Sequence, residues 1–377
     1  MATPHVRRLA CGMPLVVEEI PGVRSAGVTW LVSGGTSREP EAKQGLGAMW
    51  SEILFRGAGD LDSRAHADAL DRLGVSRSGR LGTFHMKLGM TLLGEKMDDA
   101  LPLLVDMVRR PRMDEASVEP VRDLSIQSIE ALDDEPQERV MLSLRARHNP
   151  PPFNRSDLGT IEGLKSITRG DLVDGWSGMA LPRGSILGVA GHVDADRLEA
   201  RLNELLDGWE GESKEATAAG KAARGYEHED DDTNQVHIAV AHDSPREADE
   251  RSLLERVVTA ALSGGMSGRL FSEVREKRGL VYSVYAAYRA DRDFGRTVAY
   301  AGTTPERAQE TLDVLLHELR RINGAEGISQ SEFDRAVVGM KSKLVMSGES
   351  TSARAGAIAG DFHKLGRPRS LEEMAAA

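Results

Sequence analysis

Along the first fifty-five residues the spacing of apolar positions changes once. From 5 to 32 they gather in short β-branched runs, Leu15-Val-Val17 and Ser25-Ala-Gly-Val-Thr-Trp-Leu-Val32, bounded by Pro21-Gly22 and Gly34-Gly35. Runs of this kind predict two or three strands. From 43 to 55 the apolar residues return every three or four positions, and Gly57-Ala-Gly59 stops the run, which predicts a helix. The same reading gives helices over 65–73, 96–109, 114–132 and 135–147, with strands over 75–80 and 84–93 between them. A strand over 185–192 precedes a helix that Asp194 or Asp196 would cap.

Between 212 and 232 the pattern lapses into Ala, Gly, Lys and Glu and ends in the acidic run Glu227-His-Glu-Asp-Asp-Asp232, which offers almost nothing to bury. Beyond it the plan partly repeats: a strand over 235–241, a helix over 247–262, a second helix through Arg278, strands over 282–289 and 296–302, and long helices. The order predicts an α+β protein of two similar domains, 1–211 and 233–377, joined by a linker over 212–232. Each domain is expected to be an antiparallel sheet with helices mainly on one face.

A chain of 377 residues with 40% hydrophobic and 28% charged residues has the balance of a folded two-domain protein. The net charge of -11 speaks against nucleic acid and anionic lipid as partners. Cys11 is the only cysteine, so neither an internal disulfide nor a Cys-rich metal site can form. Residues 1–21 lack the continuous apolar region of a signal peptide, and no stretch approaches the length that spans a bilayer. A cytoplasmic location is the expectation, although a leader removed earlier is compatible with the sequence.

No phosphate-binding Gly-rich loop, nucleophile elbow or helical pair of zinc histidines is present. His237 and His242, five apart on a predicted strand, point to opposite faces and read as structural or surface histidines. The informative segment is Ser263-Gly-Gly-Met-Ser-Gly-Arg-Leu-Phe-Ser-Glu-Val-Arg-Glu-Lys-Arg-Gly-Leu-Val-Tyr-Ser-Val-Tyr285. Local rules read it as a short helix capped by Ser267, with Glu273 paired to Lys277, stopped at Gly279 and followed by a strand from Tyr282. Taken alone, that describes an ordinary helix end with solvated charges.

This segment resembles the second-domain signature of the pitrilysin/insulinase zinc peptidases, in which an arginine at the helix end and a tyrosine seven residues on hold the scissile carbonyl region of a peptide. The matching residues are Arg275 and Tyr282. Gly45-Leu-Gly-Ala-Met-Trp-Ser-Glu-Ile-Leu-Phe-Arg-Gly57 resembles the family's metal helix, which carries the inverted motif HxxEH. Aligned on Leu54-Phe-Arg-Gly57, the first histidine falls on Ala48, the general-base glutamate on Ser51 and the second histidine on Glu52; the third ligand, a glutamate, falls on Ser128.

The resemblance therefore implies a subunit with no zinc and no other cofactor of its own, paired with a homologous chain that carries HxxEH and zinc. Arg275 and Tyr282 would serve peptide hydrolysis at the partner's site. Two rivals follow from the same resemblance: a structural subunit of a larger assembly, and a module that binds peptides without cutting them. The family's second domain usually continues past Ser370-Leu-Glu-Glu-Met374, so the resemblance also implies a shortened second domain.

Overall fold

A computed structural model describes residues 3–377; Met1 and Ala2, the start of the first predicted domain, lie outside the described residues. Eleven strands form among them: β1 (His5–Arg8), β2 (Pro14–Glu19), β3 (Ser25–Ser33), β4 (Gly57–Ala58), β5 (Leu61–Asp62), β6 (Ser76–Leu81), β7 (His85–Leu93), β8 (Ile186–Gly191), β9 (Val236–Ser244), β10 (Ser283–Ala290) and β11 (Gly295–Thr303). The fold is α+β, as the element order predicts.

The chain divides into two compact units, and they are not contiguous. One comprises the described residues up to Ala131 together with Pro150–Lys221 and Ser347–Met374; the other comprises Leu132–Asn149, Ala222–Met346 and Ala375–Ala377. The chain passes between units inside the expected linker. The difference from a simple split at 212–232 is that the helices Pro136–His148 and Thr351–Leu365 each belong with the sheet built by the other half of the sequence.

In the first unit six strands run in the order β1-β2-β8-β3-β7-β6. All pairs are antiparallel except β2 with β8, which run parallel. Alternation puts Trp30, Val28, Leu88 and Met90 on one face, where they meet the main core with Trp50, Leu101 and Trp176. The opposite face is covered by Thr351–Leu365, whose Ala355, Ile358 and Ala359 pack with Val16, Ile186 and Ala190. This helix lies close because glycines face it: a Cβ on Gly27 would sit 2.5 Å from the backbone of Ser352, and one on Gly188 would sit 2.5 Å from the Ala355 carbonyl oxygen. A buried ion pair fastens it, with Arg354 Nε donating to Glu18 Oε2 at 2.8 Å and both side chains 2% exposed.

The second unit holds the antiparallel sheet β10-β11-β9. Ala286, Ala299 and Ala301 point into a core with Leu262, Leu270 and Leu315. The helix Pro136–His148 packs along β9, and His148 Nε2 lies 3.2 Å from Asp243 Oδ1. The acidic run is not idle: Glu227 and Asp231 pair with Arg147 and Arg139 of that helix at 3.2 and 3.1 Å. Among the described residues no helix is long and apolar enough to cross a membrane.

Candidate functional site

The sequence from Leu46 to Ile53 is helical because its apolar face buries Leu46, Met49, Trp50 and Ile53. Its start is fixed by Glu39, whose carboxylate accepts from the backbone N–H groups of Gly45 and Gly47 at 3.1 and 2.7 Å. An acid at this end suits the helix dipole. Burial nevertheless pushes the Glu39 carboxyl up to about 7, against the opposing effect of those two amide bonds and of Arg155. Trp50 donates to the Leu172 carbonyl at 3.1 Å and stacks edge-on against Trp176, which sets the helix's rotation.

On this fixed helix the positions expected from the resemblance to align with the inverted zinc motif carry no imidazole. Ala48 is half-buried and has no donor. Ser51 turns its hydroxyl onto the Gly47 carbonyl at 3.0 Å. Glu52 is exposed, and Ser128, on the helix Glu115–Glu130, donates to the Leu124 carbonyl at 2.9 Å. One carboxylate and two hydroxyls already bonded to their own helices do not make a catalytic zinc site, which needs three protein ligands. Among the described residues no group of three or more His, Cys, Asp or Glu side chains is placed to hold a metal ion.

The second unit presents the other candidate residues. The chain from Phe271 to Glu276 winds as a π-helix, a local underwinding that the sequence does not announce. Ser267 does not cap it; the residue at the cap position is Leu270, without a side-chain bond, and the preceding turn closes through Gly268 N–H to the Gly265 carbonyl at 2.9 Å. The expected helix end does form. Lys277 pairs with Glu273 at 2.7 Å, Arg278 joins them at 3.1 Å, and Gly279 turns out at φ +62°.

Arg275 is exposed, with its guanidinium over the Phe271 ring at 5.0 Å. Tyr282 precedes β10 and is 43% exposed; its hydroxyl donates to Gln235 Oε1 at 2.8 Å, and desolvation raises its phenol above the usual range. His237 and His242 do take opposite faces, pairing with Gly302 and Thr297 in register. His237, read from sequence as a bystander, lies against Tyr282 at 6.5 Å between ring centroids. That neighbour was hidden because it depends on which residue of β9 faces which of β11.

In one unit the helix Leu46–Ile53 offers no set of zinc-binding side chains, and in the other Arg275 and Tyr282 stand at a helix-to-strand junction. The description "Insulinase (Peptidase family M16)" matches residues 15–150, and "Peptidase M16 inactive domain" matches 166–340. The chain belongs to the insulinase, or M16, peptidase family.

An uncharacterized zinc protease of Mycobacterium tuberculosis is 27% identical over 376 residues, covering 98% of this chain and 86% of that protein. YmxG of Bacillus subtilis, likewise described as an uncharacterized zinc protease, is 27% identical over 382 residues, covering 98% of this chain and 91% of its own. Among solved structures, a peptidase M16 inactive domain from Pseudomonas fluorescens superposes with TM-score 0.84 at 19% identity, over 99% of this chain and 93% of that one. A chain of complex III2 from Candida albicans gives 0.83 at 18%, over 99% and 88%. At those identities the two structures establish the fold alone.

Proposed function

We propose that this chain is the metal-free subunit of a two-chain peptidase, acting in the cytoplasm on peptides beside a homologous subunit that carries HxxEH and zinc. The observation that carries this reading is the asymmetry within one chain: Ala48, Ser51, Glu52 and Ser128 cannot hold the metal, while Arg275 and Tyr282 remain exposed. Their roles follow from their chemistry. A guanidinium and a phenol are donors suited to a carbonyl oxygen that gains charge, and a single such donor lowers a barrier by about 3 kcal/mol. In the resting chain Tyr282 spends its proton on Gln235, so a bound peptide carbonyl would replace that amide oxygen as acceptor.

The test is to express the chain alone and with an HxxEH homologue from the same genome, then measure zinc content and peptide cleavage. The mixed complex is expected to cleave, and Arg275→Ala or Tyr282→Phe is expected to reduce its turnover tenfold or more. Stoichiometric zinc and cleavage in the isolated chain would falsify the proposal, and unchanged turnover in both variants would remove the assigned roles. A second reading is a scaffold subunit without turnover; a chain of complex III2 from Candida albicans shares the fold within a larger assembly. A mixed complex that assembles but never cleaves would support it.

A further inference from the structure

The phenol of Tyr282 can act as a donor only if its ring is held, and the residue is 43% exposed. Three features on the face of β9 and β11 that carries His237 and Tyr300 bear on how it is held. First, Gly302 lies opposite His237 on β9 and Ser283 on β10. A Cβ at Gly302 would stand 2.7 and 2.9 Å from Cε2 and Cζ of Tyr282 and 3.0 Å from the Tyr300 hydroxyl. The ring therefore lies across a bare stretch of backbone that any other residue would fill. The Tyr282 N–H also donates to the Gly302 carbonyl at 3.2 Å, so ring and main chain are anchored at one point.

Second, His237 meets the same ring edge-on, with planes 72° apart. Its own orientation is fixed from behind: Nδ1 lies 2.7 Å from the hydroxyl of Tyr300, which is 1% exposed and stacks on Tyr285 at 5.2 Å. Third, Gln235 holds the hydroxyl. A surface tyrosine needs none of this for stability. An aromatic cluster serving only to cover the sheet would bury Tyr282 more deeply and would not require a glycine beneath its reactive end.

We propose that Gly302, His237 and Tyr300 form a rigid seat that sets the direction of the Tyr282 hydroxyl, and are positioning residues for it. This rests on the reading of Tyr282 as a donor to substrate. Misplacing a donor by about 1 Å costs up to a hundredfold in rate, so the seat has a function only if the hydroxyl does.

The chain has five tyrosines, so incorporation of 3-fluorotyrosine gives five fluorine resonances, and the one lost in Tyr282→Phe identifies the residue. In Gly302→Ala the Tyr282 resonance is expected to move toward that of a mobile, solvated tyrosine and to narrow. In Tyr300→Phe, which adds no bulk and frees His237, a smaller move in the same direction is expected. In the mixed complex both variants should lower kcat, Gly302→Ala by about tenfold or more, with KM little changed. A Tyr282 resonance unmoved in both folded variants overturns the seat, whatever the activity. A resonance that moves while turnover holds upholds the seat and sinks the donor role of Tyr282 instead.

Discussion

Glu39 is 3% exposed, and its raised carboxyl makes it the residue whose charge matters most to the metal-type helix. Between its ordinary value of 4.5 and about 7 the folded chain binds a proton that the unfolded chain has released. Stability from this group is therefore full below 4.5 and is lost as the pH rises through 7, a change of roughly 3 kcal/mol. His66 and His148, both depressed by burial, act with the opposite sign, adding stability as the pH rises through their ordinary value. Denaturant midpoints of the wild type and Glu39→Gln, whose neutral amide mimics the protonated carboxyl, should lie close together at pH 5 and separate toward pH 8 as only the wild type loses stability; parallel curves would mean the group does not titrate there.

At the residue scale, the sequence contained what local rules can read. Glu273, Lys277 and Gly279 sit where helix-end chemistry puts them, because partners four residues apart meet on any helix. The seat around Tyr282 was illegible, since His237 and Gly302 come from strands 65 residues apart and meet only through register.

Among the elements, Thr351–Leu365 is held by close approach and by one buried pair. Removing Arg354 would leave Glu18 uncompensated inside the sheet, which costs about 3–5 kcal/mol. Arg354→Ala should lower the thermal midpoint accordingly, whereas Glu18→Leu combined with Arg354→Met should recover most of the loss, and equal midpoints for the single and double variants would contradict this. Gly27→Ala acts through shape alone: its methyl meets main chain rather than a flexible tip, at about 1–3 kcal/mol. The helix itself was legible in the sequence as one of the long helices, but its destination was not, because a small-residue stripe of Ala355 and Ala359 does not say which sheet it will cover.

For the whole molecule, the division into units is set by which segment covers which sheet, and in each case it is one from the other half of the chain. A version ending at residue 346 should leave Val16, Ile186 and Ala190 uncovered, lower the stability of the first unit and bind an apolar dye; a peptide of residues 347–377 added in trans should reverse both effects. An unchanged melting curve would show that the covering helix is dispensable. The two-domain architecture was readable from the repeated order of elements, since each repeat uses the same local patterns. The exchange of helices was not, because periodicity reports what a segment buries and never against whom.

That exchange has a consequence in time. During synthesis the strands of the first sheet emerge early, yet the helix that shields their second face leaves the ribosome more than 150 residues after β8. The nascent chain must therefore carry a naked apolar surface through nearly half of its own translation, and that interval is when a holdase would find it.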